Sequence, residues 1–237
     1  VYKESSGLDG YVSLEINPKL AYKTDETIKE GIRLFQKVNR PNVMFKVPAT
    51  DAGFKAIEEL VARGMNINIT LIFSLAQYIN TVEAYLSGIK RLLQDRKDVT
   101  NLRSVASVFV SRIDTYVDNL LDQLALREEN QSTKAQIIFL KGKAARSNSF
   151  LIYEKYLKVV SSLDFKELQK NGVNAQRVLW GSTSTKNPEY SDIKYVTELI
   201  ARDTVNTMPE QTFGAFLDHG EVKESLIQDI SPAKKLI

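Results

Sequence analysis

Lys46 is the residue of this chain whose surroundings most favour covalent chemistry. It lies inside the apolar run 43–47 (VMFKV), which Pro48 ends. A neutral lysine amine among apolar residues can attack a ketone and form a Schiff base. A lysine on an edge strand, where it discourages aggregation, is the structural alternative. The local pattern alone leaves both interpretations open.

Two polar residues, Asn68 and Thr70, lie in the apolar segment 66–73 (NINITLIF). Alternation along a strand places these two side chains on one face, and the intervening isoleucines and Leu71 on the other. Burial of a polar group without a partner is costly. The polar face therefore indicates either a functional site or a face that is exposed to solvent.

Glu15 and Ser107 interrupt two further apolar runs. Glu15 lies near the end of the run 11–16 (YVSLEI), where a carboxylate can shuttle protons or simply face solvent. Ser107 lies in the run 105–110 (VASVFV). All these polar residues are near the ends of predicted strands, which is where a barrel of parallel strands carries its chemistry.

Arg112 and the segment 181–187 (GSTSTKN) are candidates for binding an anion. Arg112 is at the start of a predicted helix, and a helix N-terminus beside an arginine suits a phosphate. Ser184 and Lys186 lie in the hydroxyl-rich segment, which suits a sugar phosphate. A surface arginine and a polar turn are the structural alternatives.

The composition predicts a globular protein and excludes several kinds of site. The 237 residues are 43% hydrophobic and 26% charged, with a formal net charge of +3, no Cys and one His, His219. Disulfides, thiolate catalysis and Cys or His-cluster metal sites are therefore excluded. The balanced charge gives no case for a nucleic-acid partner, and no apolar run approaches the roughly 20 residues that cross a bilayer. With no signal peptide at its start, we expect a cytoplasmic protein without a membrane partner.

Short apolar runs alternate with amphipathic segments along the chain. The predicted strands are 11–16, 43–47, 66–73, 105–110, 177–180 and 204–207. Helices are predicted after them, with Thr24, Asp51 and Ser74 as N-caps. This rhythm predicts parallel strands joined by helical crossovers, either in a TIM barrel or in a doubly wound open sheet. The sequence has neither a dinucleotide-binding glycine motif nor a P-loop, which disfavours the commonest open sheets.

Residues 127–176 depart from the rhythm. The stretch 127–134 is polar and predicts a loop, 141–161 predicts a helix, and a shorter helix is predicted from Asp164. We expect a helical elaboration within a single domain that spans residues 1–237.

Six segments, taken together in this order and spacing, resemble the transaldolases of the pentose phosphate pathway. The similarity is greatest to the longer bacterial type, which is sometimes fused to a glucose-6-phosphate isomerase domain. The segments are DGYVSLE (9–15), KVPAT (46–50), NINITLIFS (66–74), SVFVSRID (107–114), WGSTSTKN (180–187) and DTVNTMP (203–209). The resemblance implies a (β/α)8 TIM barrel of the class I aldolase type, with no metal and no other cofactor. It also implies transfer of a dihydroxyacetone unit from sedoheptulose 7-phosphate or fructose 6-phosphate to an aldose phosphate.

The resemblance also implies roles for individual residues. Lys46 is the Schiff-base lysine, Glu15 acts through a bound water, and Thr70 holds that water. The residues implied to bind the dihydroxyacetone portion are Asn68 and Ser107, and those implied to bind phosphate are Arg112, Ser184 and Lys186. Lys186 stands where many transaldolases have an arginine, so it keeps the charge but lacks the planar, bidentate guanidinium.

One departure from the family concerns its first two strands, which carry an acid/base Asp and an Asn. We find no such segment, and both ends of the sequence resemble cuts through a longer protein. We therefore expect a barrel without its first two strands and its last helix. Sugar phosphates are the implied partners, and a homodimer and a fused isomerase domain are left open. The alternatives are a fructose-6-phosphate aldolase, or a truncated barrel that binds sugar phosphate without turnover.

Overall fold

The computed structural model of the chain describes residues 1–226 and 233–234. These residues form an α/β structure with six strands in one sheet, in the order β1-β2-β3-β4-β5-β6. The strands are β1 Val12–Glu15, β2 Val43–Pro48, β3 Ile67–Ile72, β4 Ser104–Phe109, β5 Arg177–Gly181 and β6 Val205–Asn206. The pairs β1–β2, β2–β3 and β5–β6 are parallel, so the predicted strands and their orientation are confirmed for these pairs.

Helices connect the strands, as the strand–helix rhythm predicts. The described helices are α1 Thr24–Val38, α2 Asp51–Ala62, α3 Leu75–Gln94, α4 Ser111–Arg127, α5 Gln131–Phe139, α6 Ala144–Ser161, α7 Leu163–Lys170, α8 Lys194–Thr197 and α9 Glu210–His219, with a short 3-10 helix at Pro18–Leu20. None of the helices in this part of the chain is long and apolar enough to cross a membrane. The expected absence of the family's last helix concerns the end of the chain, where residues 227–232 and 235–237 lie outside the described part.

Two predicted N-caps are wrong by one residue. Lys23 precedes the first residue of α1, and the Thr24 hydroxyl donates instead to a backbone carbonyl of α2 at 3.0 Å. Asp51 is the first residue of α2, and the preceding Thr50 is its cap because the Thr50 hydroxyl accepts from the Gly53 N–H at 2.9 Å. Thr50 has the extended backbone that an N-cap needs.

The predicted loop at 127–134 is also partly wrong, because α5 begins at Gln131. The Asn130 side chain caps this helix by accepting from the Thr133 N–H at 3.1 Å. None of the α5 residues is buried. An amphipathic pattern arises from one buried face, so this helix has no periodic signal in the sequence.

Burial along β3 departs from a regular alternation at Leu71. Ile67 and Ile69 are fully buried, but Leu71 is 39% exposed and the following Ile72 is fully buried. The backbone of Leu71 has a φ of 61°, in the left-handed region. A left-handed residue interrupts the alternation of a strand, which is why the period of two fails at this point.

The described chain divides into two compact units. The first unit comprises Val1–Ile72, Ala76–Ser107 and Tyr156–Arg177, and the second comprises Phe73–Leu75, Val108–Lys155 and Val178–Ile237, of which some terminal residues are not described. The single domain of 1–237 stays a prediction.

Close packing of helices stabilises the first unit. α2 packs against β2 and β3, and its apolar residues Ile57, Leu60 and Val61 are fully buried. Gly88 of α3 lies so close to α2 that a Cβ there would be 2.7 Å from the Val61 Cβ. The absence of a side chain at Gly88 is thus what permits these two helices to touch.

The second unit has its own core around β5. Trp180, Val108 and Val110 are fully buried there. The hydroxyl of Thr183, just after β5, donates to the Thr207 carbonyl at 2.9 Å, beyond the end of β6. This bond ties together the chain segments that leave the two strands.

Candidate active site

Three of the candidate residues are cross-strand neighbours in the first unit. The register of the parallel strands places Glu15 opposite Lys46, and Lys46 opposite Asn68. Thr70 is opposite Pro48, two residues further along both strands. Because alternate residues of a strand share a face, Glu15, Lys46, Asn68 and Thr70 all lie on one face of the sheet.

Lys46 and Glu15 form a direct ion pair. The Lys46 Nζ lies 3.0 Å from the Glu15 Oε1, with 24% of the lysine side chain and 65% of the glutamate side chain exposed. An ion pair this exposed contributes only about 0–1 kcal/mol to stability. The ion pair matters more for chemistry than for stability. Lys46 must release a proton before it can attack a carbonyl, and the Glu15 carboxylate is close enough to accept that proton.

Asn68 is held by two hydroxyl groups. Its Nδ2 donates to the Ser13 Oγ at 2.9 Å, and its Oδ1 accepts from the Ser107 Oγ at 2.6 Å. Asn68 and Ser107 are both buried. These bonds determine which end of the amide faces each serine. Ser13 is missing from the candidates that the sequence suggested, although its position two residues before Glu15 in β1 places it on the same face.

Thr70 contributes a buried hydroxyl with unused hydrogen-bonding capacity. The residue is 9% exposed, and its Oγ1 has no hydrogen-bond partner among the described residues. Leaving a buried hydroxyl unsatisfied costs about 1–3 kcal/mol. A bound water or substrate oxygen on this face of the sheet would satisfy it.

The candidate anion-binding residues lie in the second unit. Arg112 is the second residue of α4 and its guanidinium carbon lies 5.1 Å from the centre of the Phe109 ring. The preceding Ser111 N–H donates to the Ser182 carbonyl at 3.0 Å. This bond connects the start of α4 to the segment that follows β5.

In that same segment the Lys186 Nζ donates to the Ser184 Oγ at 2.8 Å. The Arg112 and Lys186 side chains are both exposed. Their charges are therefore accessible to an anion from solvent, as binding of a phosphate requires.

Two buried carboxylates of α4 were not among the residues singled out from the sequence. Asp114, only 1% exposed, accepts from the Ala145 N–H at 2.7 Å and from the Tyr195 hydroxyl at 2.8 Å. Burial raises the pKa of the Asp114 carboxyl above its ordinary value. Burial, together with the neighbouring Asp114, also raises the pKa of Tyr195.

Asp118 lies one helical turn further along α4 and has the same kinds of partner. It accepts from the Gly142 N–H at 2.9 Å and from the Tyr190 hydroxyl at 2.7 Å. The two carboxylates thus connect α4 to the start of α6 and to the segment after β5. Their spacing of four residues is visible in the sequence, but nothing local shows that the face they share is buried.

The clefts of the second unit differ in size and in the residues that line them. A cleft of about 200 Å³ has Lys186 in its wall, together with Asp118, Asp122 and Lys141. A cleft of about 860 Å³ is lined by the start of α6 and by α8, and contains none of the candidate site residues.

His219 is the last residue of α9, as the sequence predicts. Its Nε2 lies 3.0 Å from an Asp192 carboxylate oxygen, and this contact raises the pKa of the imidazole. Among residues 1–226 and 233–234, no group of three or more metal-ligating side chains could hold a metal ion.

Comparison with known proteins gives a consistent result along the whole chain. The sequence profile of the transaldolase/fructose-6-phosphate aldolase family matches residues 2–236. Transaldolase 2 of Nostoc sp. is 44% identical, with 100% of this chain and 62% of the relative aligned. The transaldolase of Trichodesmium erythraeum is 41% identical over the same shares, 100% and 62%.

The transaldolase of Mycolicibacterium smegmatis is 45% identical, with 95% of this chain and 59% of the relative aligned. The chain spans about three fifths of the length of the curated relatives that it matches. Because the family profile covers nearly every residue, the resemblance is confirmed, and the chain belongs to the transaldolase/fructose-6-phosphate aldolase family.

Proposed function

We propose that Lys46 forms a Schiff base with a ketose phosphate and that the protein transfers a dihydroxyacetone unit as a transaldolase. The observation that carries this proposal is the direct contact of Lys46 with Glu15, beside the Asn68 amide and the unsatisfied Thr70 hydroxyl. An amine, a proton acceptor and polar groups on one face are what imine formation needs.

The first chemical step is attack on the ketone. The Lys46 amine gives one proton to the Glu15 carboxylate, and its lone pair forms a bond to the C2 carbonyl carbon of the ketose. The carbonyl oxygen takes up two protons, one from the attacking nitrogen and one returned by Glu15, and leaves as water. The nitrogen keeps its last proton, so the product is a protonated imine. A water bound by Thr70 would carry protons between Glu15 and the reacting oxygen.

The second step is cleavage of the C3–C4 bond. The C4 hydroxyl loses its proton, C4 becomes the aldehyde of the departing aldose phosphate, and the bonding electrons move into the protonated imine. Lys46 then holds a three-carbon enamine, which attacks a new aldose phosphate. The family resemblance gives the C4 proton to an aspartate that we do not find in this sequence, so no residue of this chain is assigned to that proton.

Substrate binding follows from the neighbouring polar groups. Asn68 and Ser107 would bind the hydroxyls of the dihydroxyacetone portion, exchanging part of their mutual hydrogen bond for bonds to the sugar. Arg112, Ser184 and Lys186 would bind phosphate, because two exposed cations and a hydroxyl suit an oxyanion. These roles are supported by the resemblance and by the chemistry of the side chains.

The proposal extends to the whole protein, for which we propose the (β/α)8 barrel of the class I aldolases. The curated relatives are named transaldolase, which favours transfer to an acceptor over release of dihydroxyacetone to water. A cytoplasmic location, a homodimer and a fused isomerase domain stay predictions.

Borohydride trapping tests the proposal directly. The chain is mixed with dihydroxyacetone or with fructose 6-phosphate, the imine is reduced to a stable amine, and the modified peptide is identified by mass spectrometry. We expect an adduct on Lys46 that disappears in Lys46→Arg and persists in Lys90→Arg, a lysine of α3. No adduct on Lys46 with either ketose would contradict the proposal.

A further inference from the structure

Leu71 has an unfavourable backbone conformation directly beside a candidate site residue. Its φ is 61°, and it follows Thr70 near the end of β3. A bulky residue rarely adopts the left-handed region, because its side chain then crowds its own backbone. Such strain persists only where the surroundings enforce it, and it is concentrated at functional sites.

The left-handed residue ends the regular part of β3 just after Thr70. Up to that point Lys46 pairs with Asn68, and Pro48 with Thr70. After it, Leu71 is 39% exposed and Ile72 is fully buried. The left-handed conformation of Leu71 therefore interrupts the regular alternation of β3, and Thr70 is the last regularly alternating side chain on the Lys46 face.

One side chain of the first unit donates to the backbone on both sides of this point. The Gln77 Nε2, in the first turn of α3, donates to the Ala49 carbonyl at 3.1 Å and to the Leu71 carbonyl at 3.4 Å. The Ala49 N–H donates in turn to the Thr70 carbonyl at 2.8 Å. The Gln77 amide thus bridges the ends of β2 and β3. One of its bonds goes to Ala49, whose N–H contacts the Thr70 carbonyl, and the other goes to Leu71, the residue after Thr70.

We propose that Gln77 is a positioning residue for the imine chemistry of Lys46. Its amide bonds to the carbonyl of the left-handed Leu71, and so holds the Thr70 hydroxyl on the Lys46 face. Without these hydrogen bonds of Gln77, Leu71 relaxes to a negative φ, and the Thr70 side chain is no longer held in one orientation. This inference depends on the proposed function, since it concerns the rate at which Lys46 forms an imine.

The test compares the rate of borohydride labelling of Lys46 by dihydroxyacetone in four forms of the full chain. These are the wild type, Gln77→Leu, the double variant Gln77→Leu with Leu71→Gly, and the control Gln94→Leu. Gln94 is an exposed glutamine at the end of the same helix. Labelling is measured over a range of ketone concentrations, and thermal unfolding of each variant is followed by circular dichroism.

We expect Gln77→Leu to lower the labelling rate at saturating dihydroxyacetone about 10-fold or more, because proton transfer contributes factors of this size or larger. The double variant should recover most of that rate, since glycine adopts a positive φ without strain and does not need these hydrogen bonds. Gln94→Leu should label like the wild type. Gln77→Glu, which has the same size but presents no donor when ionised, replaces Gln77→Leu if that variant does not fold.

Two results would overturn the inference while the proposed function stands. One is labelling at the wild-type rate in Gln77→Leu, or in Gln77→Glu where that variant replaces it. The other is a loss that Leu71→Gly does not recover, which would mean that Gln77 serves the fold alone. Failure of the wild-type chain to label at all would instead overturn the imine chemistry, and this inference with it.

Discussion

The carboxylate of Glu15 and the ammonium group of Lys46 face each other at 3.0 Å across the strand pair β1–β2. The family resemblance implies that Glu15 acts through a bound water, whereas here the two groups are in direct contact. In the proposed mechanism, the same carboxylate takes the lysine proton before attack and returns a proton through water afterwards. Both transfers depend on one titratable group.

Glu15→Gln should slow labelling of Lys46 about 100-fold, because an amide of the same size cannot accept the amine proton. The measurement is the rate of borohydride trapping with dihydroxyacetone at a fixed pH. Glu30→Gln is the control, since Glu30 forms a surface ion pair with Arg33 in α1. Equal labelling rates in Glu15→Gln and the wild type would contradict the proton-transfer role.

Lys186→Gln should weaken the binding of fructose 6-phosphate about 10-fold or more, because a charge-assisted hydrogen bond to phosphate is lost. Binding of unphosphorylated fructose should not change, and isothermal titration calorimetry measures both. Lys186→Arg should keep or improve the affinity, since its guanidinium can bind phosphate with two parallel bonds. Lys170→Gln, which removes a cation from a surface ion pair in α7, is the control. If that control weakened binding as much as Lys186→Gln, the effect would be one of net charge.

Asp114→Asn should abolish a pH dependence of stability. Burial raises the pKa of Asp114 in the folded chain, so between about pH 4 and that raised value the folded state binds more protons than the unfolded state. The free energy of unfolding of the wild type therefore decreases as the pH rises through this range. The asparagine variant has no such titration and can still accept the Ala145 hydrogen bond.

Urea denaturation at a series of pH values measures this difference. The free energies of unfolding of the wild type and of Asp114→Asn should be closest below about pH 4. As the pH increases, the free energy of unfolding of the variant should rise relative to that of the wild type. Asp122→Asn, at an exposed position of the same helix, should show no comparable gain. If the free energy of unfolding of the wild type increased with pH relative to that of Asp114→Asn, the predicted direction of the pH dependence would be wrong.

Gly88→Ala should destabilise the chain by about 1–3 kcal/mol, the usual cost of overpacking a core. The new Cβ would lie 2.7 Å from the Glu58 carbonyl oxygen and 2.7 Å from the Val61 Cβ, so α3 must move away from α2. This cost exceeds the gain of about 1 kcal/mol that alanine offers over glycine inside a helix.

The matched control for this substitution is Gly214→Ala in α9, where no atom lies within 4 Å of the added Cβ. That variant should be neutral or more stable by up to about 1 kcal/mol. Urea denaturation gives both values. Equal effects at the two positions would refute the account of the α2–α3 contact.

The sequence predicts the strands of this protein well because each is a local pattern. Apolar runs of four to eight residues mark buried strands, and Lys46, Asn68 and Ser107 stand out because they are polar within such runs. The helix α5 is missed for the converse reason, since a helix without a buried face has no periodic pattern. The Asp51 cap is misplaced because the neighbouring Thr50 is also a good capping residue. The Thr24 cap is misplaced because its hydroxyl bonds to a carbonyl of α2, a distant contact that the local sequence does not show.

By itself, then, the sequence determined the α/β class, the family, and the residues near the strand ends at which chemistry is proposed. It could not determine which of these side chains touch. The bonds from Lys46 to Glu15, Asn68 to Ser13 and Tyr195 to Asp114 join residues 31, 55 and 81 positions apart. Strand register and helix packing decide such contacts, and both depend on the burial of many side chains at once. The left-handed backbone of Leu71 is likewise a feature of the tertiary structure, because the local preference of leucine is against a positive φ.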